Sequence, residues 1–220
     1  MNAKYIVRFV TLTIVFGGIL MSAAGTIRYW QAWAFLALMG SGSLGSAIYL
    51  QRRDPMLLER RMRQEEQRRV QKVFHGSVIA AWLLGLVLAG LNRRYGWEPV
   101  LPRWACVLGL AALACGFAIT FASLRANTFA SSTIGLEKDQ RVIATGPYRL
   151  VRHPMYSGMA VLVLGMPIEL GSVTALATSL ILIAMLVVRL LDEEKLLRAE
   201  LPGYAEYCAR VRWRLVPNVY

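Results

Sequence analysis

Long apolar runs alternate along the chain with short segments rich in arginine. Each of the first four runs has about the 20 residues that a helix needs to cross the roughly 30 Å hydrocarbon core of a bilayer. They cover residues 5–24, 30–50, 73–91 and 104–124. The pattern therefore predicts four transmembrane helices in the first part of the chain.

A helical hairpin is predicted after the fourth run. Residues 156–166 are apolar but too few to cross a bilayer comfortably, residues 167–172 have the composition of a turn, and residues 173–191 form a second apolar run. We expect the hairpin over 156–191 to place Glu169 in its turn at the far interface, although an acid near a membrane can also be functional. The predicted fold is all-α and polytopic.

The segment between the second and third runs, residues 51–72, is strongly basic. It mixes eight lysines and arginines with apolar residues such as Met56 and Leu57, and Asp54-Pro55 is a helix start signal. This pattern predicts an amphipathic helix lying in the lipid headgroups. Such a helix can deliver a lipid substrate, or it can simply anchor the topology.

Composition supports an integral membrane protein. Hydrophobic residues make up 56% of the 220 residues and the mean hydropathy is +0.46, which is too apolar for an ordinary soluble domain. With the N-terminus in the cytoplasm, all 25 lysines and arginines lie on the cytoplasmic side except Arg28, Arg93, Arg94 and Arg103. The positive-inside rule therefore predicts a multi-pass protein with both termini cytoplasmic.

The same composition argues against two classes of function. The net charge of +12 comes without any groove-reading motif, so we expect contact with anionic lipid and no nucleic-acid partner. We also expect no metal site, because Cys106, Cys115 and Cys208 are far apart and the chain has only two histidines. Of these, His75 opens the third span and is interpreted as an interfacial residue rather than a ligand.

The stretch 146–158, GPYRLVRHPMYSG, is the least membrane-like part of the chain. Pro147 and Pro154 lack an N–H group and disfavour helix in the residue before them, so regular structure should be interrupted here. Interrupted structure leaves backbone groups free beside fixed polar side chains. We predict a binding site at this stretch.

A second polar group follows the hairpin, in the sequence RLLDEEKLLRAELPGYAEY. Arg189 and Glu193 are four residues apart on one helix face, with Glu194 beside them, and could be an ordinary intrahelical pair. However, Arg189 lies at the end of an apolar helix, where a charge is costly unless it is paired or used. A hairpin returns the chain to its side of origin, so this group should adjoin 146–158 and suit a cationic ligand.

Together these residues resemble a known family. The stretch RHPMYSG, the hairpin, R-L-x-x-E-E, Y-x-x-Y and a closing R-L-V-P are similar to isoprenylcysteine carboxyl methyltransferases and the related phospholipid methyltransferases. The resemblance covers about residues 124–217, and it implies that 125–220 is a catalytic region after the transmembrane region 1–124. Gln140 stands where bacterial members usually have a histidine.

The resemblance implies S-adenosylmethionine as the methyl donor, bound in a cytoplasmic pocket. The implied cofactor-binding residues are Gln140, Arg141, Val142, Ile143, Tyr148, His153, Pro154, Met155, Tyr156, Glu193 and Glu194. Glu193 would hold the charged methionine end with support from Glu194. His153 could alternatively act as a base, but it is interpreted as a wall of the cofactor site. Arg189 would be the catalytic residue that holds an anionic acceptor group.

The sequence leads us to expect a membrane methyltransferase of a bacterial inner membrane. Its acceptor would be a lipophilic molecule that enters from the bilayer, most simply the carboxylate of an isoprenoid or a prenylcysteine-like compound, since an arginine can align a carboxylate bidentately. The alternatives are a phospholipid amine or thiol methyltransferase and an NADPH-dependent reductase of the sterol type. The GxGxxG sequence at residues 40–45 lies inside the second apolar run with no strand pattern before it, so it is not the element that binds the cofactor in Rossmann-type enzymes.

Overall fold

The computed structural model describes residues 3–62, 69–130, 135–136 and 139–220, with only the backbone for residues 3–5 and 69–73. Within these ranges the chain is helical and contains no strand. The α-helices are α1 (Ala3–Ala24), α2 (Trp30–Arg53), α3 (Pro55–Met62), α4 (Arg69–Tyr95), α5 (Arg103–Ala126), α6 (Pro154–Glu169), α7 (Ala175–Glu200) and α8 (Tyr204–Arg210), and a short 3-10 helix covers Gly146–Arg149. The expected all-α membrane fold is confirmed.

Five of the described helices are long and apolar enough to cross a membrane. They are α1, α2, α4, α5 and α7. The predicted runs correspond closely to these helices, but α7 continues well beyond residue 191 to Glu200. Arg189, Glu193 and Glu194 therefore lie on one uninterrupted helix that leads from the apolar bundle to its polar end.

The predicted surface helix over 51–72 is wrong in its extent. Helix α2 ends at Arg53, and Asp54 accepts a 3.0 Å hydrogen bond from the Leu57 N–H as the new helix α3 begins at Pro55. Because proline has no N–H, one continuous helix would lose a backbone hydrogen bond there. The backbone from Arg69 onward already belongs to α4, and residues 63–68 lie outside the described residues.

Helix α3 also packs on protein rather than lying free among headgroups. Its Leu57 and Leu58 are buried in a cluster with Leu50 and Ala47 of α2 and with Leu124 at the end of α5. Burying two leucines is worth about 1.5–3 kcal/mol each relative to exposure, and this contributes to holding the eight-residue helix against α2 and α5. The charged face of α3 is thereby held against the polar end of the bundle.

Helix α6 has 16 residues and lies along α5 in close backbone contact. A Cβ atom at Gly158 would lie 2.7 Å from the Gly116 carbonyl oxygen, and a Cβ at Gly116 would lie 2.7 Å from the Gly158 carbonyl oxygen. Small residues allow membrane helices to associate through backbone contact and dispersion forces. This contact fixes α6, and with it the stretch 146–158, relative to the spanning helix α5.

The turn of the hairpin begins later than the predicted residue 167. Pro167 lies inside α6, which continues to Glu169. A proline leaves the carbonyl four residues earlier without its helical partner. That carbonyl belongs to Val163, and it accepts a 2.7 Å hydrogen bond from the Ser179 hydroxyl of α7. The serine compensates for the proline and joins the two helices of the hairpin.

Glu169 was expected in the turn of the hairpin, but it precedes that turn. It occupies the last turn of α6 and is fully buried, and its carboxyl oxygens have no hydrogen-bond partner among the described residues. The turn beside it is fixed by other groups. The Glu98 carboxylate accepts hydrogen bonds from the Val173 and Thr174 N–H groups, and the Tyr29 hydroxyl donates to the Leu170 carbonyl.

Candidate functional site

A cavity lies at the polar end of the bundle, where the stretch 146–158 meets the C-terminal part of α7 and helix α8. Ten of the residues expected in the site line it: Gln140, Arg141, Val142, Ile143, Tyr148, His153, Met155, Tyr156, Arg189 and Glu193. We call it the polar cavity. The structure thus gathers residues that are up to about fifty positions apart in the sequence around one space.

Two expected residues, Pro154 and Glu194, do not line the polar cavity. Pro154 is the first residue of α6, a position where the missing N–H costs nothing and the fixed φ angle favours a helix. It therefore ends the irregular stretch and sets the direction of α6. Glu194 lies behind the cavity wall and is only 3% exposed.

Glu194 is the centre of a charged cluster. Its carboxylate is 3.0 Å from Arg152 Nε, 3.3 Å from His153 Nε2 and 2.9 Å from Arg214 Nε. Burying a carboxylate is costly unless it is paired; here Arg214 donates a hydrogen bond to Oε2, and Arg152 and His153 lie beside Oε1. The cluster connects α7, the RHP sequence and the C-terminal segment, so it holds the cavity wall in place.

Backbone hydrogen bonds reinforce the same connection. The Arg152 and His153 N–H groups donate to the Trp213 and Arg214 carbonyls at 2.8 and 2.9 Å. The Ser157 hydroxyl donates to the Leu215 carbonyl at 2.6 Å. We call residues 213–215 the C-terminal strap. The strap therefore satisfies the Arg152 and His153 N–H groups. The sequence had predicted that free backbone groups in this stretch would contribute to ligand binding.

Glu193 faces the polar cavity on the other side of α7. The Tyr156 hydroxyl donates a hydrogen bond to Glu193 Oε2, and Arg189 Nε donates to the Tyr156 hydroxyl at 3.3 Å. A carboxylate, a phenol and a guanidinium therefore form a chain along one wall. Such a wall offers a negative group at one end and a positive group at the other.

Sequence reasoning missed part of the lining. The additional residues are Asn127, Phe129, Ala130, Gly135, Arg152, Leu196, Leu197, Leu201, Tyr204 and Tyr207. The two tyrosines are the Y-x-x-Y pair noted in the tail, so a signal for them was present. Leu196 and Leu197 follow Glu193 at helical spacing on α7 and carried no separate signal.

Three buried tyrosines surround the end of the polar cavity at the stretch 146–158. Tyr207 donates a 2.7 Å hydrogen bond to the Tyr148 carbonyl, and the Tyr204 hydroxyl is 3.4 Å from His153 Nε2. Burial raises the pKa of Tyr148 to about 12 and also raises the pKa of Tyr204 and Tyr207 above the ordinary value. All three are therefore neutral phenols at physiological pH, able to donate hydrogen bonds.

A second, larger cavity lies between α4, α6 and α7 and has a volume of about 380 Å³. Most of its described lining is apolar, including Trp82, Met159 and Leu186. We call it the apolar cavity. It shares Met155, Tyr156 and Arg189 with the polar cavity, so these three residues form the boundary between the two spaces.

Comparison with known proteins identifies the part of the chain that carries the site. Residues 104–201 match the family model of the phospholipid methyltransferases, which confirms the resemblance to integral membrane methyltransferases over this part of the chain. No curated protein matches the chain. The matched segment runs from α5 into the turn after α7 and contains the stretch 146–158 together with Arg189 and Glu193.

Proposed function

We propose that the protein is an S-adenosylmethionine-dependent methyltransferase whose acceptor is a lipophilic carboxylate of the isoprenoid or prenylcysteine-like class. The family match supports methyl transfer on lipids. The observation that carries the proposal is the boundary formed by Met155, Tyr156 and Arg189, where a polar cavity meets an apolar one. A polar donor and a lipophilic acceptor could come into contact there.

The groups lining the polar cavity fit S-adenosylmethionine. Glu193 is an anionic partner for its ammonium group, and the rings of Tyr148 and Tyr156 suit a sulfonium, which aromatic faces attract. The segment 140–143 and His153 would enclose the adenosine and the remaining polar groups, with Glu194 supporting the wall from behind. When bound, the molecule would supply an electrophilic methyl group, which an acceptor atom takes as the carbon–sulfur bond breaks and S-adenosylhomocysteine leaves.

Binding requires the polar cavity to widen. Its volume is about 90 Å³, whereas small-molecule sites usually measure roughly 300–1,000 Å³. Side chains of the wall therefore have to move apart on binding, a change of the kind that many partners undergo at interfaces. The charged cluster around Glu194 and the C-terminal strap would keep one wall fixed while Gln140 to Ile143 adjust.

The apolar cavity fits the acceptor. A carboxylate oxygen is already deprotonated at neutral pH and needs no general base. Arg189 would hold that carboxylate beside the boundary, while the apolar lining excludes water and packs against the lipid chain. Catalysis would then rest on positioning and charge, which are the usual contributions of an enzyme to a simple displacement.

A phospholipid amine acceptor is the alternative that the family description favours. An amine must lose a proton before it can attack, and the described lining of the apolar cavity offers His75 as the side chain best suited to accept it. The arginines of that lining favour the carboxylate. The match to methyltransferases gives no support to a sterol-type reductase. The distribution of basic residues supports an orientation with both termini cytoplasmic.

Calorimetric titration of the detergent-purified protein with S-adenosylhomocysteine tests the proposal, with NADPH as a parallel titrant. Micromolar binding of S-adenosylhomocysteine alone is the expected result. Binding of NADPH in its place would contradict the proposal and favour a reductase. No binding of either ligand would favour a non-catalytic lipid-binding protein.

A further inference from the structure

A second arginine lies at the polar end of the apolar cavity. Arg61, on the short helix α3, lines this cavity together with Arg189 of α7, and the two guanidinium charges act on each other. Arg61 lies outside the matched segment 104–201, and nothing in the sequence distinguishes it from the other basic residues of the segment 51–72. Its position in the cavity is a finding of the structure alone.

The guanidinium of Arg61 lacks a strong partner in the described part of the chain. Its Nη1 donates to the thioether sulfur of Met155 at 3.5 Å, and a thioether is a weak acceptor. Burial lowers the pKa of Arg61, with Tyr148 and Tyr156 opposing that effect and the positive charge of Arg189 adding to it. Arginine nevertheless stays protonated in proteins, so a charge remains at this place.

The charge balance of the apolar cavity is one-sided. Its described lining contains Arg61, Arg189 and His75 but no aspartate or glutamate. Glu193 lies beyond the shared boundary, lines only the polar cavity and accepts a hydrogen bond from Tyr156. Arg61 adds a partly desolvated positive charge at this end of the cavity, and an entering anion would compensate it.

We propose that Arg61 is a specificity-determining residue, which together with Arg189 selects acceptors with an anionic head at the end of a lipophilic chain. This inference rests on the proposed function of the same site. Two guanidinium groups from different helices can contact both oxygens of a carboxylate, whereas an ammonium head would face two positive charges. Helix α3, held by its buried Leu57 and Leu58, positions Arg61 for this contact.

Equilibrium binding to the protein in lipid nanodiscs tests the inference with two matched probes. One is an S-prenylated cysteine derivative with a free carboxylate, and the other is its neutral carboxamide. We expect the wild-type protein to bind the carboxylate more tightly, and Arg61→Gln to reduce that preference by about tenfold or more, the effect of losing a hydrogen bond to a charged group. Arg53→Gln, which removes an exposed charge at the end of α2, should leave the preference unchanged.

Binding of S-adenosylhomocysteine to each variant separates the inference from the proposed function. If the wild-type protein does not bind it, both fail. If all variants bind it and Arg61→Gln retains the full carboxylate preference, or the wild-type protein has no such preference, only the inference is overturned. Arg61→Met keeps an apolar stem against Met155 and provides the same comparison if the glutamine variant does not fold.

Discussion

The Tyr156 hydroxyl donates a hydrogen bond to the Glu193 carboxylate and thereby joins the first turn of α6 to the polar end of α7. Both residues line the polar cavity, and Tyr156 also lines the apolar one. We propose that Glu193 binds the donor and that Tyr156 belongs to the boundary between the two substrates. These two residues are in direct contact. A substitution at Glu193 should therefore affect ligand binding in both the polar and the apolar cavity.

Glu193→Gln should weaken the binding of S-adenosylhomocysteine by about 1.5–3 kcal/mol, because the ammonium group would lose a charged hydrogen-bond partner. Isothermal titration calorimetry measures this directly. Glu200→Gln removes the same charge from an exposed position on α7 and should bind as the wild-type protein does. Equal affinity of the Glu193 variant would remove this residue from the donor site.

Arg189→Ala should reduce kcat/KM for methyl transfer by about tenfold or more while the affinity for S-adenosylhomocysteine changes little. The reason is that Arg189 is expected to hold the acceptor, and a charged hydrogen bond is worth about 1.5–3 kcal/mol. Methylation kinetics with a prenylcysteine carboxylate and calorimetry on the same preparation give the two values. Arg198→Ala, at an exposed position on the same helix, serves as the control. A large loss of donor affinity with normal transfer would reassign Arg189 to the donor.

Glu194→Gln should destabilise the protein strongly. The substitution leaves Arg152, 5% exposed, and Arg214 without their shared carboxylate, and breaking a buried pair by removing one partner costs about 3–5 kcal/mol. Thermal unfolding in detergent should show a clearly lower midpoint than for the wild-type protein. Glu206→Gln, at an exposed position on α8, should unfold at the wild-type temperature. An unchanged midpoint for the Glu194 variant would mean that the cluster adds nothing to stability.

Ser179→Ala should cost about 1–3 kcal/mol, because the Val163 carbonyl would lose its 2.7 Å hydrogen bond inside the bundle. The loss should be smaller in a Pro167→Ala background, where the restored N–H can donate to the same carbonyl. Unfolding midpoints of the four proteins of this double-mutant cycle give the coupling between the two positions. Additive effects would show that the serine does not compensate for the proline.

The sequence predicted the fold well because a bilayer leaves few choices. A run of about 20 apolar residues must satisfy its backbone internally, so runs such as 104–124 become helices almost regardless of detail. Local breaks were harder to predict: Asp54-Pro55 correctly indicated a helix start, whereas Pro167, expected to open a turn, lies inside a helix. The difference lies in Ser179, which is distant in sequence and replaces the hydrogen bond that Pro167 removes.

The sequence was sufficient to predict most residues of the candidate site. It was not sufficient to predict what each of them contacts. Glu193 and Glu194 are neighbours, yet successive residues point about 100° apart on a helix, so one faces the polar cavity and the other faces Arg152. To predict which of the two faces the cavity, one must know how α7 is oriented about its own axis. That orientation is determined by packing against residues that are distant in the sequence. The position of Arg61 in the apolar cavity could not be predicted for a related reason. Nothing in the local sequence distinguishes it from the other arginines of its segment.

The C-terminal strap determines when during synthesis the site can exist. A growing chain releases its N-terminal parts first, so all five spanning helices leave the ribosome before residues 213–215 do. Until then the Arg152 and His153 amides have no carbonyls to bind, and Glu194 lacks Arg214. The spanning helices can therefore enter the membrane before the wall of the polar cavity is complete. Competence to bind the proposed donor would thus be acquired only after residues 213–215 have been synthesised.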